Sequence, residues 1–162
     1  MKVAFRQMAD PSVAVALSFG LGLAPWMPGT FGAAGAFILC PVVMHLPWVL
    51  QCGLALLLLL LGCVVCGRAA RALGGEDPSA IVWDETVGML ITLVLTPATP
   101  LSWLLGFLAF RVLDINKPWL IGTAERRLRG GTAIMADDAL AGLAAAGIVW
   151  AILAALARLT TA

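Results

Sequence analysis

Residues 31–66 read FGAAGAFILCPVVMHLPWVLQCGLALLLLLLGCVVC, a stretch that contains no Asp, Glu, Lys or Arg. At about 1.5 Å per helical residue, it is too long for one crossing of a bilayer core about 30 Å thick and suits two. Leu46-Pro47-Trp48 is the natural bend, because proline disfavours a helical conformation in the residue before it. The stretch therefore predicts two membrane spans, near residues 31–46 and 48–66.

The composition of the whole chain is also that of a membrane protein. Of its 162 residues, 62% are hydrophobic and 12% are charged, and the mean hydropathy is +1.01. Soluble domains carry about 25% charged residues. The length suits one domain, and a formal net charge of +1 without a basic stripe argues against nucleic-acid binding. We predict an all-α, polytopic integral membrane helical bundle over residues 1–162, with an amphipathic or irregular entry segment at residues 1–30.

The next apolar run, residues 86–110, is divided by Pro97 and Pro100. Such a run can form one kinked helix or a helical hairpin with its tip at residues 96–101. Two prolines so close together are unfavourable inside a helix, which favours the hairpin. Its arms are predicted near residues 86–96 and 101–113. A polar, basic segment follows, and the last span is predicted at residues 139–157.

The hairpin also places the charges on one side of the membrane. With a cytoplasmic N-terminus, every Lys and Arg except Arg158 falls on the cytoplasmic side, as the positive-inside tendency predicts. All nine carboxylates fall on that side too, whereas the opposite tips at residues 46–50 and 96–101 carry no charge. We therefore expect a multi-pass protein with its polar site facing the cytoplasm.

Six of the nine carboxylates form three clusters beside apolar sequence. They are Glu76-Asp77, Asp84-Glu85 and Asp137-Asp138, with a lone Asp114 between them. Acids near hydrocarbon are costly unless they are paired, hydrated or bound to a metal. Carboxylates that converge from separate segments are the ligands that Mg²⁺ requires. Each pair alone is also explained as a charged helix N-terminus, but the three clusters together favour a site.

Two cations and one turn near the acids suit a phosphate group. Arg111 offers bidentate hydrogen bonds and Lys117 a point charge. Gly29 and Thr30 precede an apolar helix, whose first backbone N–H groups can bind an anion. Simpler interpretations stay open, because Thr30 can cap this helix and Arg111 can pair with Asp114 at i, i+3.

Other catalytic centres find little support in the sequence. The only histidine, His45, lies in a charge-free tip on the far side, and Ser-His or Cys-His catalysis needs a histidine near the polar surface. No Walker loop or G-x-G-x-x-G motif occurs. The four cysteines, including the Cys63-Val-Val-Cys66 pair, lie in apolar runs and are interpreted as buried side chains.

Four short blocks follow one another between residues 28 and 142. They are Pro28-Gly29-Thr30-x-Gly32, Ile81-Val82-x-Asp84-Glu85-x-x-Gly88, Phe110-Arg111-x-x-Asp114-Ile115-x-Lys117-Pro118 and Met135-x-Asp137-Asp138-x-x-Ala141-Gly142. Together they resemble the phosphatidylglycerophosphatase A family, which varies where this chain has Asn116 and Trp119. The resemblance implies an α-helical enzyme of the bacterial inner membrane. It also implies removal, with Mg²⁺, of the terminal phosphate from phosphatidylglycerophosphate to give phosphatidylglycerol.

The expected site then has two parts. The predicted Mg²⁺ ligands are Asp84, Glu85, Asp114, Asp137 and Asp138, and the first three with Asp138 are the predicted catalytic residues. The predicted phosphate contacts of a phospholipid held in the bilayer are Gly29, Thr30, Arg111 and Lys117. Attack by water is the first expectation, and a carboxylate nucleophile is the alternative. A small membrane transporter or ion-conducting protein that uses the acids as an ion site, or a non-catalytic subunit, remains a competing interpretation. The oligomeric state is not predicted.

Overall fold

The computed structural model describes residues 5–75, 78–118 and 128–160, and within these ranges its regular elements are all helical. The α-helices are α1 (Pro11–Ala16), α2 (Pro28–Val43), α3 (Trp48–Leu73), α4 (Trp83–Leu95), α5 (Pro100–Asn116) and α6 (Gly131–Thr160). Two short 3-10 segments, Phe5–Ala9 and Ser18–Leu23, flank α1. The predicted Glu76-Asp77 pair and Trp119 lie outside the described residues.

Helix α4 is the central element, because it packs against α2, α3, α5 and α6. Val87, Leu90 and Leu93 are almost completely buried among these neighbours. Close backbone packing joins α4 to α6, since a Cβ on Gly142 would overlap the carbonyl group of Gly88. Small residues at helix contacts are typical of membrane helices, where they let two backbones approach.

Helices α3 and α6 are each long and apolar enough to cross a membrane, judged by length and composition. In their most apolar windows, 17% and 28% of the residues are buried inside the protein. The core helix of a soluble protein is mostly buried, so the exposure of these two helices suits a lipid environment. Both helices are therefore candidate membrane spans.

The apolar run after Glu85 forms two helices. Helix α4 ends at Leu95 and α5 begins at Pro100, where proline at the first helical position loses no hydrogen bond. Thr99 caps α5 by accepting a hydrogen bond from the backbone N–H of Ser102 at 3.2 Å. The structure thus has a helical hairpin here and not the alternative, a single kinked helix.

Two local expectations were wrong, and the helix boundaries near the N-terminus differ slightly from the predicted segments. Helix α2 begins at Pro28, inside the predicted entry segment, and is preceded by α1, whose Val13 and Ala16 are buried. Thr30 does not cap α2, because it lies within the first turn and Met27 is the N-cap residue. Asp137 and Asp138 do not precede the last helix, since α6 begins at Gly131, about two turns before them.

Candidate active site

Three acids from two helices form one compact cluster. Asp84 and Glu85 lie in the first turn of α4, and Asp138 lies in the second turn of α6. One carboxylate oxygen from each lies within 4.8 Å of the others, the spacing of a site that can hold a metal ion. The packing explains this convergence. Asp84 and Asp138 each come four residues before Gly88 and Gly142, so the contact between these glycines brings the acids together one turn away.

The cluster concentrates negative charge where water is scarce. Asp138 is 3% exposed, and the Asp84 Oδ1 and Glu85 Oε2 atoms are buried without a hydrogen-bond partner among the described atoms. Burial raises the pKa of Asp84 well above its usual value, and the negative charges of Glu85 and Asp138 raise it further. Burial also raises the pKa of Glu85 to about 7, although a hydrogen bond from Asp84 opposes this rise. A cation bound among these oxygens would offset the cost of their burial.

Helix α5 contributes a charge pair to the edge of the cluster. Arg111 Nη1 donates a hydrogen bond to Asp114 Oδ2, and both side chains are largely buried. The charge of Asp114 acts on Glu85, whose pKa it raises, whereas Arg111 lowers the same pKa. The Arg111 Nε atom is buried and has no hydrogen-bond partner among the described atoms, so the guanidinium keeps a donor for another group. Arg111 and Asp114 do form the predicted i, i+3 pair, and they form it beside the acid cluster.

The two neighbouring acids of α6 have different surroundings. Asp137 accepts a hydrogen bond from Lys117 Nζ at 2.6 Å, and only 7% of its side chain is exposed. Consecutive residues of a helix point about 100° apart, so Asp138 joins Asp84 and Glu85 while Asp137 faces the end of α5. The three-acid group found among the described residues does not include Asp137. Of the predicted metal ligands, the structure thus gathers three directly, places Asp114 beside them and pairs Asp137 with Lys117.

The first turn of α2 closes another side of the site. A Cβ on Gly29 would overlap the carboxylate of Glu85 and approach Nη1 of Arg111, so a larger residue there would displace the Glu85 carboxylate. The neighbouring Thr30 Oγ1 is buried without a partner among the described atoms. The two residues predicted from the Pro-Gly-Thr turn therefore meet the acids and Arg111 in one place.

Sequence reasoning missed two hydroxyl groups at the back of the site. The Ser18 and Thr86 hydroxyls lie 2.8 Å apart, and both residues are buried. In the sequence, Thr86 belongs to an apolar run and Ser18 to the entry segment, and neither position indicates a functional role. The available signal was the position of Thr86, directly after Asp84-Glu85 in the first turn of α4.

The fold and the site define a class of protein. The described part of the chain is all-helical in its regular elements and has two candidate membrane spans. It holds buried carboxylates next to a guanidinium and a helix N-terminus, the groups that bind a divalent cation and a phosphate. The sequence model of the phosphatidylglycerophosphatase A family matches residues 14–153, and the chain belongs to this family.

Two of three similar curated proteins carry the name of this family. A phosphatidylglycerophosphatase A of Escherichia coli is 40% identical over 145 residues, which cover 89% of this chain and 84% of the relative. A protein of the same name from Haemophilus influenzae is 37% identical over 147 residues, covering 90% of each chain. A Bacteroides thetaiotaomicron protein, named provisionally as a phosphatidylinositol-3-phosphatase, is 35% identical over 139 residues and covers 81% of this chain and 86% of its own. No solved structure gives a significant match.

Proposed function

We propose that the protein is a Mg²⁺-dependent lipid phosphatase that hydrolyses phosphatidylglycerophosphate to phosphatidylglycerol and phosphate, in the synthesis of glycerophospholipids. The observation that carries the proposal is the convergence of Asp84, Glu85 and Asp138 within 4.8 Å, beside Arg111 and Gly29. The blocks that resemble the family supply all five of these residues. Membership of the family and the local geometry therefore support the same site independently.

The donor set fits a hard divalent cation. The cluster offers only carboxylate oxygens, which Mg²⁺ prefers, and two of these acids have buried oxygens without a partner among the described atoms. Asp84, Glu85 and Asp138 would hold the ion, and Asp114 stands beside them, already paired with Arg111. Bound there, Mg²⁺ would polarise the phosphoryl group and lower the pKa of a bound water.

The other side chains bind and orient the phosphate group. Arg111 uses its remaining donors on the phosphoryl oxygens, where charge grows during the reaction. Thr30 supplies a hydroxyl hydrogen bond, and the N-terminal end of α2 favours negative charge. Lys117, fixed by Asp137, adds positive charge at the C-terminal end of α5. Water is the proposed nucleophile, and a carboxylate that forms an acyl-phosphate is the alternative.

A bilayer suits the outer surface of the protein. Leu101, Leu104, Leu108, Val112 and Ile115 recur every three or four residues along α5, and each is at least 50% exposed. Such a stripe is unfavourable in water and favourable against acyl chains. We infer a polytopic helical bundle in the bacterial inner membrane, with the acid site facing the cytoplasm and the lipid tails of the substrate left in the bilayer.

The deciding experiment measures inorganic phosphate released from phosphatidylglycerophosphate by purified protein in detergent micelles. We expect turnover with Mg²⁺, no turnover in excess EDTA and recovery when Mg²⁺ is restored. Phosphatidylinositol 3-phosphate serves as the competing substrate, because one relative bears a name that refers to it. Absence of phosphate release would reject the proposed phosphatase activity and favour the transporter or non-catalytic alternatives. Full turnover in EDTA would reject the proposed dependence on Mg²⁺.

A further inference from the structure

A buried hydroxyl network joins the N-terminal segment to the acid-bearing end of α4. Ser18 Oγ lies 2.8 Å from Thr86 Oγ1 and 3.3 Å from the carbonyl oxygen of Val82. Thr86 Oγ1 in turn lies 2.8 Å from the carbonyl oxygen of Gly32 in α2 and 2.9 Å from that of Val82. Three separate segments of the chain therefore meet at Thr86.

The two hydroxyl groups can share their protons in two ways. A hydroxyl carries one proton, and a backbone carbonyl only accepts. If Thr86 donates to the Gly32 carbonyl, Ser18 donates to Thr86; if Thr86 donates to Ser18, Ser18 donates to the Val82 carbonyl. In both arrangements the two hydroxyls depend on each other for their shared hydrogen bond. Ser18 and Thr86 are 6% and 4% exposed, so water does not readily replace a lost donor.

The network lies directly behind the candidate active site. Thr86 follows Glu85 in the sequence, and Gly32 is one turn after Gly29, which contacts the carboxylate of Glu85 and lies next to Arg111. A further backbone hydrogen bond, from Val82 N–H to the Ala16 carbonyl at 2.9 Å, ties the N-terminal segment to the residues before α4. A movement of the first turn of α2 would therefore change the position of Glu85.

The backbone at Ser18 has an unusual conformation. Ser18 and Phe19 have φ angles of 44° and 55°, in the left-handed region that favours glycine. Strained non-glycine residues of this kind persist where the surrounding structure fixes them, and they concentrate at functional sites. At Ser18 this conformation accompanies the hydrogen bond to Thr86.

We propose that Ser18 and Thr86 are positioning residues, which hold the first turn of α2 against α4 so that Asp84, Glu85 and Arg111 keep a productive arrangement. This inference rests on the proposed phosphatase function. It also gives the segment before α2 a role in the site, although that segment provides no group to the reaction itself.

The test compares Thr86→Val, which removes the hydroxyl at nearly constant shape, with Thr86→Ser, which keeps it. We expect Thr86→Val to lower kcat about tenfold or more, because small displacements in an active site are costly. Thr86→Ser should recover most of the activity. Thr86→Val should also raise the Mg²⁺ concentration that half-maximally increases thermal stability.

Thr96→Val is the matched control, because Thr96 is also buried, at the C-terminal end of α4, and among the described residues its hydroxyl bonds only to carbonyls of α4 itself. Thr96 lies about 15 Å from Thr86 along the helix axis. The Thr96→Val variant should therefore have a kcat and a Mg²⁺ titration close to those of the unmodified protein. If Thr86→Val does not fold, Ser18→Ala takes its place, with Ser102→Ala as the control at the far tip.

Two results would overturn the inference. One is a Thr86→Val protein with unchanged kcat and Mg²⁺ response, and the other is an equal loss in Thr96→Val, which would indicate general destabilisation. Failure of the proposed function looks different, because the unmodified protein would then release no phosphate. The Mg²⁺ titration of thermal stability would still distinguish the variants in that case.

Discussion

The backbones of Gly88 in α4 and Gly142 in α6 are in direct contact, because a Cβ on Gly142 would overlap the Gly88 carbonyl group. Thr92 strengthens this contact by placing its hydroxyl 3.1 Å from the Gly142 carbonyl oxygen. One turn earlier on the same two helices stand Asp84 and Asp138. The distance between two parts of the candidate metal site is thus set by a contact that contains no charged group.

Gly142→Ala should therefore reduce both stability and activity. The added methyl group forces α4 and α6 apart, and overpacking of this kind costs about 1–3 kcal/mol. Gly147→Ala is the control on the same helix, because a Cβ at Gly147 meets none of the described atoms within 4 Å. Alanine should leave activity unchanged there and raise thermal stability slightly, since glycine is the poorer helix former. Equal behaviour of the two variants in thermal unfolding and phosphate release would contradict the role of the glycine contact.

Asp84→Asn should separate folding from catalysis. Asn cannot ionise and so avoids the cost of placing a negative charge in the buried cluster, and in EDTA the variant should unfold at a temperature equal to or above that of the unmodified protein. Mg²⁺ should stabilise the unmodified protein, as any ligand of the folded state does, and should have little effect on the variant. Phosphate release should fall by at least about a hundredfold, since even groups that only support a metal ligand are worth 10–100-fold. A variant that keeps normal turnover and normal stabilisation by Mg²⁺ would exclude Asp84 as a ligand.

The sequence predicted the parts of this site better than their arrangement. Patterns of apolar residues and prolines locate helices, so the break between α4 and α5 followed from Pro97 and Pro100. The acids of α4 were expected at a helix N-terminus, where the structure has them. Those of α6 were not expected inside a helix. Two adjacent charged residues before an apolar run are typical of the end of a membrane span, and the sequence does not show the partners that allow them to be buried.

The arrangement depends on contacts between distant segments, which periodicity does not contain. Nothing local to Asp137-Asp138 indicates that one acid faces Lys117 and the other faces Asp84. Ser18 and Thr86 are 68 residues apart in the sequence, and neither residue by itself indicates a functional role. They form one network only because the fold brings the 3-10 segment that begins at Ser18 against the first turn of α4.

The ion pair between Lys117 and Asp137 allows a double-variant test. Lys117→Met removes the ammonium group that lies 2.6 Å from the buried Asp137 carboxylate and should lower thermal stability. Adding Asp137→Asn should recover part of the loss, with a coupling of about 1 kcal/mol, kept small because 30% of the Lys117 side chain is exposed. Phosphate release should stay low in the double variant, since the positive charge is still missing. Full activity of the double variant would show that Lys117 acts only on stability.

The side of the membrane that holds the site can be tested with single cysteines. The four native cysteines all lie in α2 and α3, and replacing them with alanine gives a background without thiols. Ser79→Cys, exposed just before α4 at the acid end, should react with a membrane-impermeant maleimide in inside-out vesicles only. Ala98→Cys, exposed at the tip between α4 and α5, should react only from the opposite side. Because the two positions are joined by a single helix, labelling of both from one side would contradict a hairpin that crosses the bilayer. Labelling of Ser79→Cys from outside intact cells would instead show that the site does not face the cytoplasm.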